Sequence, residues 1–195
     1  MNDQQFRIEE IAGSYSCSAP VEQKKVAAQI VHQGLAERFG DEYDESFNQD
    51  LNDLDANYLV FCAMFSTSNN EMIGTGALSL EHFTSKLVEN NHDQDSDNSK
   101  QRESENEYCL RVGRVSVIKE YRRKGLAFQI MKYLISKAGQ LYVKLKDDEN
   151  KVMKSWLVVE TDTPWIEAVE LYKKLGFIQV CERDGCVHFK KEIEM

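Results

Sequence analysis

The stretch Val115-Ser116-Val117-Ile118-Lys119-Glu120-Tyr121-Arg122-Arg123-Lys124-Gly125-Leu126-Ala127 changes character twice along its length. It opens as a β-rich run, passes through a short basic turn, and enters an apolar stripe that continues at Ile130, Met131, Leu134, Ile135, Ala138 and Leu141. Strand, turn and helix in that order make an anion site. The first-turn N–H groups of a helix lack partners within the helix and stand at the positive end of its dipole, so phosphate binds there. Gly125 lets a ligand approach the backbone closely, Ala127 adds no bulk, and Arg122, Arg123 and Lys124 form the densest cationic cluster of the chain. Taken alone, the same segment reads equally well as a solvated basic turn whose glycine adjusts the helix entry. It is not a P-loop, because no GxxxxGK[ST] occurs, and not a dinucleotide fingerprint, because Gly125 has no partner glycines.

Working outward, residues 108–118 are the strand that leads into the turn. Upstream, a helix begins near Pro20, carries Val26, Ile30, Val31, Leu35 and Phe39, and ends at Gly40. Between Asp41 and Asp55 there are seven acidic residues and no basic one, interleaved with Tyr43, Phe47, Leu51 and Leu54 at helical spacing. That predicts a second short helix with an acidic outer face. Residues 58–65 and 72–80 form a hairpin across a turn at 66–70. Downstream, a charged connector at 144–154 leads to a strand at 156–161, a helix from Thr163-Pro164 to Leu175, and a closing hairpin on Asp184-Gly185. A further strand is expected around residues 6–11. The segment 84–106 lacks apolar periodicity and is rich in Asn, Asp, Ser and Glu, which predicts a flexible insertion. The order of elements is that of a single mixed α/β domain over residues 1–195.

The chain has 195 residues, 42% of them hydrophobic and 10% aromatic, enough for one substantial core. With 33 Asp+Glu against 24 Lys+Arg and a net charge of -9, it is not composed like a duplex nucleic-acid binder. No window reaches the run of about 18 apolar residues that a membrane span needs, and the first residues are polar, so a cytoplasmic protein is expected. Five cysteines without a CxxC pair suggest neither a disulfide framework nor a zinc ribbon. A two-residue turn on Asp184-Gly185 pairs Arg183 with Cys186 and Cys181 with His188, so the two cysteines do not face each other. The histidines, His32, His82, His92 and His188, show no metal-ligand spacing, and no metal is assigned.

The turn Arg122-Arg123-Lys124-Gly125-Leu126-Ala127 resembles the acetyl-coenzyme-A-binding motif of the GNAT superfamily of N-acetyltransferases, which reads Arg or Gln, two residues, Gly, one residue, then Gly or Ala. A second family motif follows as Ala168-Val169-Glu170-Leu171-Tyr172-Lys173-Lys174-Leu175-Gly176-Phe177. The resemblance is strong over residues 111–185 and moderate over 58–80, where Met72-Ile73-Gly74-Thr75-Gly76-Ala77 looks like the family's third strand. It implies a mostly antiparallel mixed sheet, splayed in the middle and flanked by helices. It also implies acetyl-CoA as co-substrate, its pyrophosphate on the amides of Arg122 to Ala127 and its pantetheine arm paired with Ser116 and Val117. The Val117 N–H then polarises the acetyl carbonyl, and Tyr172 matches the tyrosine that protonates the departing thiolate.

The base is less well marked. Some family members carry a glutamate on the strand before the loop, but here its middle is Arg111-Val112-Gly113-Arg114, leaving Glu160, Glu81 and Glu107 as candidates with Glu160 foremost. Trp165 stands where the family frequently has an asparagine. The implied partners are acetyl-CoA and a primary amine acceptor, in a monomer or homodimer. The acidic stretch, bordering the acceptor side in the resembling family, suggests a cationic amine. A non-catalytic coenzyme-A-binding module of the same fold is the alternative.

Overall fold

The computed structural model describes residues 5–16, 18–83, 107–148 and 151–194. The expected insertion at 84–106, with His92, lies outside the described residues, as does Cys17. Seven strands form a sheet: β1 (Phe6–Ala12), β2 (Val60–Ser66), β3 (Met72–His82), β4 (Glu107–Val117), β5 (Val152–Asp162), β6 (Ile178–Arg183) and β7 (Cys186–Glu192). Their order is β1-β2-β3-β4-β5-β7-β6. The helices are α1 (Val21–Phe39), α2 (Leu54–Asn57), α3 (Leu126–Leu145) and α4 (Ile166–Lys174). Among the described pairings β4 and β5 run parallel, and the crossover that such a pair requires runs through α3. The sheet is therefore mixed and mostly antiparallel, as expected.

The chain divides into two compact units. The first comprises residues 1–79 and 112–134. Here β2 is buried at every position, and Phe61 and Phe65 share a core with Ile11, Ala27, Ile30, Val31, Leu51 and Leu54. Helix α1 ends at Gly40 as its sequence required, but its buried face is Ala27, Ile30, Val31 and Gly34, while Val26 and Phe39 are exposed. Close packing at Gly34 sets that face: a Cβ there would stand 2.4 Å from the Ser116 Oγ.

The acidic helix expected across 41–55 does not form. Residues Gly40–Glu42 and Glu45–Asn52 are 3₁₀ turns and α2 is a single turn. The cause is side-chain capping, which restarts the backbone. Asp44 accepts from the Ser46 N–H and Asp53 from the Ala56 N–H, and Asn48 breaks the run between them with φ -117 and ψ 42.

The second unit comprises residues 80–111 and 135–195. Strand β5 begins at Val152, inside the expected connector, because Val152 pairs with Glu107 and Lys154 ion-pairs with Glu107 at 2.9 Å. The β4–β5 ladder runs from Glu107↔Val152 to Arg111↔Val158. At the closing hairpin, Asp184 (φ 53) and Gly185 (φ 78) both take the left-handed conformation that a tight hairpin turn needs. The register is Arg183↔Cys186 and Cys181↔His188, as the turn rule dictated. Cys181 and Cys186 are free, and burial pushes the Cys62 and Cys109 thiols up to about 12, holding them protonated.

Candidate active site

In the first unit, β4 gives way to a 3₁₀ turn, Lys119–Tyr121, closed by the Tyr121 N–H on the Ile118 carbonyl (3.0 Å) and the Arg122 N–H on the Lys119 carbonyl (3.2 Å). Arg123 (φ 64) and Gly125 (φ 74) are both left-handed, and α3 starts at Leu126, which is buried and anchors the helix. At Gly125 a Cβ would meet nothing within 4 Å, so there is room beside the backbone where first-turn amides of α3 stand without helical partners. Lys124 lies over the Tyr121 ring, 4.7 Å from its centroid.

Arg122 is already engaged. Its Nε donates to the Val117 carbonyl at 2.7 Å and its guanidinium pairs with Glu37 at 2.5 Å, tying the turn to α1. Slight burial works against the Glu37 charge, but the hydrogen bonds from Arg122 and Gln33 and the charges of Arg122 and Lys119 together outweigh it and hold the carboxyl below the ordinary range. Ser116 turns its hydroxyl to α1, donating to the Ile30 carbonyl at 3.2 Å. The Ile118 N–H bonds to the Ile73 carbonyl of β3 at 3.0 Å. Because backbone N–H groups alternate in direction along a strand, that of Val117 points away from β3.

In the second unit, Tyr172 is the one buried residue of α4. Its ring packs on Phe177 and Phe189 with centroids 5.9 and 5.5 Å away. Glu160, the foremost candidate base, is held on both oxygens' sides. Arg111 bonds one oxygen, and the His188 Nδ1 lies 3.3 Å from the other. Arg111 also donates to Glu81 at 3.2 Å. Burial disfavours the guanidinium charge, and Glu160 and Glu81 outweigh that, raising its pKa further. Glu107 is taken by Lys154. Arg111, Glu160 and His188 line a small, half-open cavity of about 10 Å³, room for about one water, with Val158, Val159 and Phe189. Among the described residues no cluster of three or more His, Cys, Asp or Glu could hold a metal. None of the described helices is long and apolar enough to cross a membrane.

The family model described as "Acetyltransferase (GNAT) domain" matches residues 60–179. The chain belongs to the GNAT acetyltransferase family. Similar solved structures include a GNAT-family acetyltransferase of Staphylococcus aureus Mu50, with TM-score 0.65 and 13% identity over 97% of this chain and 100% of that one. The Arabidopsis thaliana protein NAA60 in complex with acetyl-CoA aligns with TM-score 0.58 and 15% identity, over 97% and 99% of the two chains. The PaiA N-acetyltransferase of Thermoplasma acidophilum in complex with coenzyme A aligns with TM-score 0.60 and 10% identity, over 96% and 99%. Comparison with curated proteins finds no match.

Membership in the GNAT family makes the protein an acyltransferase, and the matched residues include both the turn at Gly125 and Tyr172. They stop short of His188, which is why the family motifs gave no hint of it. The acidic stretch also differs from its sequence reading, which found no counter-charge. Arg114, left-handed at φ 57, bonds Asp50 at 2.6 and 2.9 Å, Asn48 at 2.8 Å and the Tyr58 hydroxyl at 2.9 Å. Lys24 bonds Asp55. Sequence reasoning missed both pairs because the partners are 64 and 31 residues apart. Trp165 precedes α4 as its N-cap residue, where its carbonyl accepts from the Ala168 N–H at 2.9 Å.

Proposed function

We propose that the protein transfers the acetyl group of acetyl-CoA directly to a primary amine. The observation that carries this reading is the left-handed Gly125 with open space beside it, at the head of α3 and beneath a basic turn. A pyrophosphate fits that cradle, held by the amides of Arg122, Arg123, Lys124, Gly125, Leu126 and Ala127 and by the charges of Arg123 and Lys124. Arg122 acts there as a brace through Glu37 and Val117. The pantetheine arm pairs with the edge of β4 at Ser116 and Val117. The Val117 N–H polarises the acetyl carbonyl, Tyr172 protonates the leaving thiolate, and Glu160 stands on the base side. NAA60 and PaiA, structures with acetyl-CoA and coenzyme A respectively, support the choice of co-substrate. A cationic acceptor draws support from the exposed Asp41, Glu42, Asp44, Glu45 and Asp53, since Asp50 and Asp55 are paired.

The test is release of free thiol from acetyl-CoA across a panel of polyamines, lysyl peptides, peptide N-termini and neutral amines. Turnover on any of them with stoichiometric acetylated product supports the reading. Tight acetyl-CoA binding without turnover would favour the non-catalytic module, which the absence of a carboxylate in the middle of β4 keeps in view.

A further inference from the structure

We propose that His188 is the group that takes the proton from the acceptor amine, and that Glu160 is its positioning residue. This rests on the acetyltransferase reading and names the base of that same reaction. Glu160 and His188 are directly opposed in the β5–β7 ladder, so their side chains stand side by side on one face of the sheet. The His188 Nδ1 is 3.3 Å from one Glu160 oxygen while Arg111 bonds the other, so both oxygens are already engaged. Arg111 is itself anchored to Glu81, which fixes the carboxylate from behind. A carboxylate held this way orients an imidazole and steadies its cationic form. A proton on Nδ1 would face Glu160 and leave the ring's lone pair on Nε2, and His188 and Glu160 line the same small cavity.

The step balances as follows. The acceptor enters as an ammonium and gives one proton to Nε2. The freed nitrogen lone pair attacks the thioester carbonyl carbon, forming the C–N bond. Collapse of the tetrahedral intermediate breaks the C–S bond, and its electron pair leaves on sulfur. The nitrogen sheds its second proton, one proton reaches the thiolate, and the imidazolium returns the other to water. The products are an N-acetyl amine, free coenzyme A and one proton.

Charged and titratable groups around His188 come from every neighbouring strand: Glu160 on β5, Arg111 on β4 with Glu81 on β3 behind it, and Cys181 opposite on β6.

The experiment measures acetyl transfer by wild type, His188→Gln, His188→Ala and Glu160→Gln, with acetyl-CoA affinity and melting temperature read alongside. His188→Gln should lower kcat about 100-fold and flatten the low-pH limb of the rate profile, with acetyl-CoA affinity unchanged. Added imidazole should restore part of the activity of His188→Ala. Glu160→Gln, a near-isosteric change at a half-buried position, should lower kcat about 10-fold and carries the test if the His188 variants fail to fold. His188→Gln or Glu160→Gln within about 3-fold of wild type, folded and with the pH profile intact, overturns this assignment alone. Wild-type protein that turns over no amine overturns the acetyltransferase reading and this assignment with it.

Discussion

The turn at 118–127 and the pocket at Arg111, Glu160 and His188 are built by opposite means. The turn is contiguous, and its chemistry lies in the backbone: a left-handed glycine, the amides of a helix start, and open space above them. The pocket draws single side chains from three strands, with Arg111 and Glu160 lying 49 residues apart. Side-chain replacement in the turn should therefore be mild unless it adds a Cβ where a ligand must come close. In the pocket the backbone is indifferent and each side chain matters. Substitutions at the two places should separate along that line, one set acting on coenzyme affinity and the other on turnover.

The sharpest way to break this contrast is Gly125→Val. The substituted residue bears about 1–2 kcal/mol for a left-handed backbone and places two methyl groups over the amides. Acetyl-CoA affinity, read by calorimetric titration, should fall at least about 100-fold. Affinity within a few-fold of wild type would show that the pyrophosphate does not rest on this backbone. Next in size is Tyr172→Phe in the second unit. Turnover should fall about 10- to 100-fold with acetyl-CoA affinity unchanged. The ring keeps its packing on Phe177 and Phe189 in this variant, so unchanged turnover would leave Tyr172 as a core residue only.

A smaller effect tests a side chain of the turn, Arg122, to which the structure gives a mechanical role. If Arg122 braces the turn through Glu37 and the Val117 carbonyl, Glu37→Ala and Arg122→Ala should each weaken acetyl-CoA binding about 3- to 10-fold. If Arg122 instead serves the ligand as a bare charge, Glu37→Ala would release it and binding would tighten. Salt separates Arg123→Ala from both, because an exposed charge acting at a distance is screened. The pH dependence has a definite sign. The Glu37 carboxyl is held below its ordinary value, so the brace is complete above the ordinary carboxylate range and is lost only as pH falls through that lowered value.

Much of the fold was legible because its signals are local. The stop of α1 at Gly40, the register around Asp184-Gly185, and the strand, basic turn and helix at 115–127 are each written in neighbouring residues. The acidic stretch misled for a related reason. Hydrophobic spacing favoured a helix there, yet Asp44 and Asp53 cap the backbone and restart it, and propensity alone does not decide between the two. What was illegible is the long-range pairing. Arg114 with Asp50, Lys24 with Asp55, and Glu160 with His188 depend on which elements lie beside one another. The register of β5 against β7 carries no local signature, so His188 read as an unremarkable residue on a terminal strand.

The smallest expected effect concerns the charge of the acceptor. A cleft steers cations only through negative charge that nothing nearby neutralises. Of the seven acidic residues between 41 and 55, Asp50 is spent on Arg114 and Asp55 on Lys24, while Asp44 and Asp53 are capping residues. The two caps keep their charge, so five exposed carboxylates remain, and at physiological salt their field decays within about 8 Å; Asp41, Glu42 and Glu45 are the three that cap nothing. Replacing them together by Asn, Gln and Gln should lower kcat/KM for spermidine less than about 3-fold, more at low salt than at high, and leave a neutral amine unaffected. A loss above 10-fold, specific to the cation, would mean that these carboxylates touch the acceptor rather than steer it. Equal rates for both amines at every salt concentration would remove the cationic preference and leave the acetyl transfer itself standing.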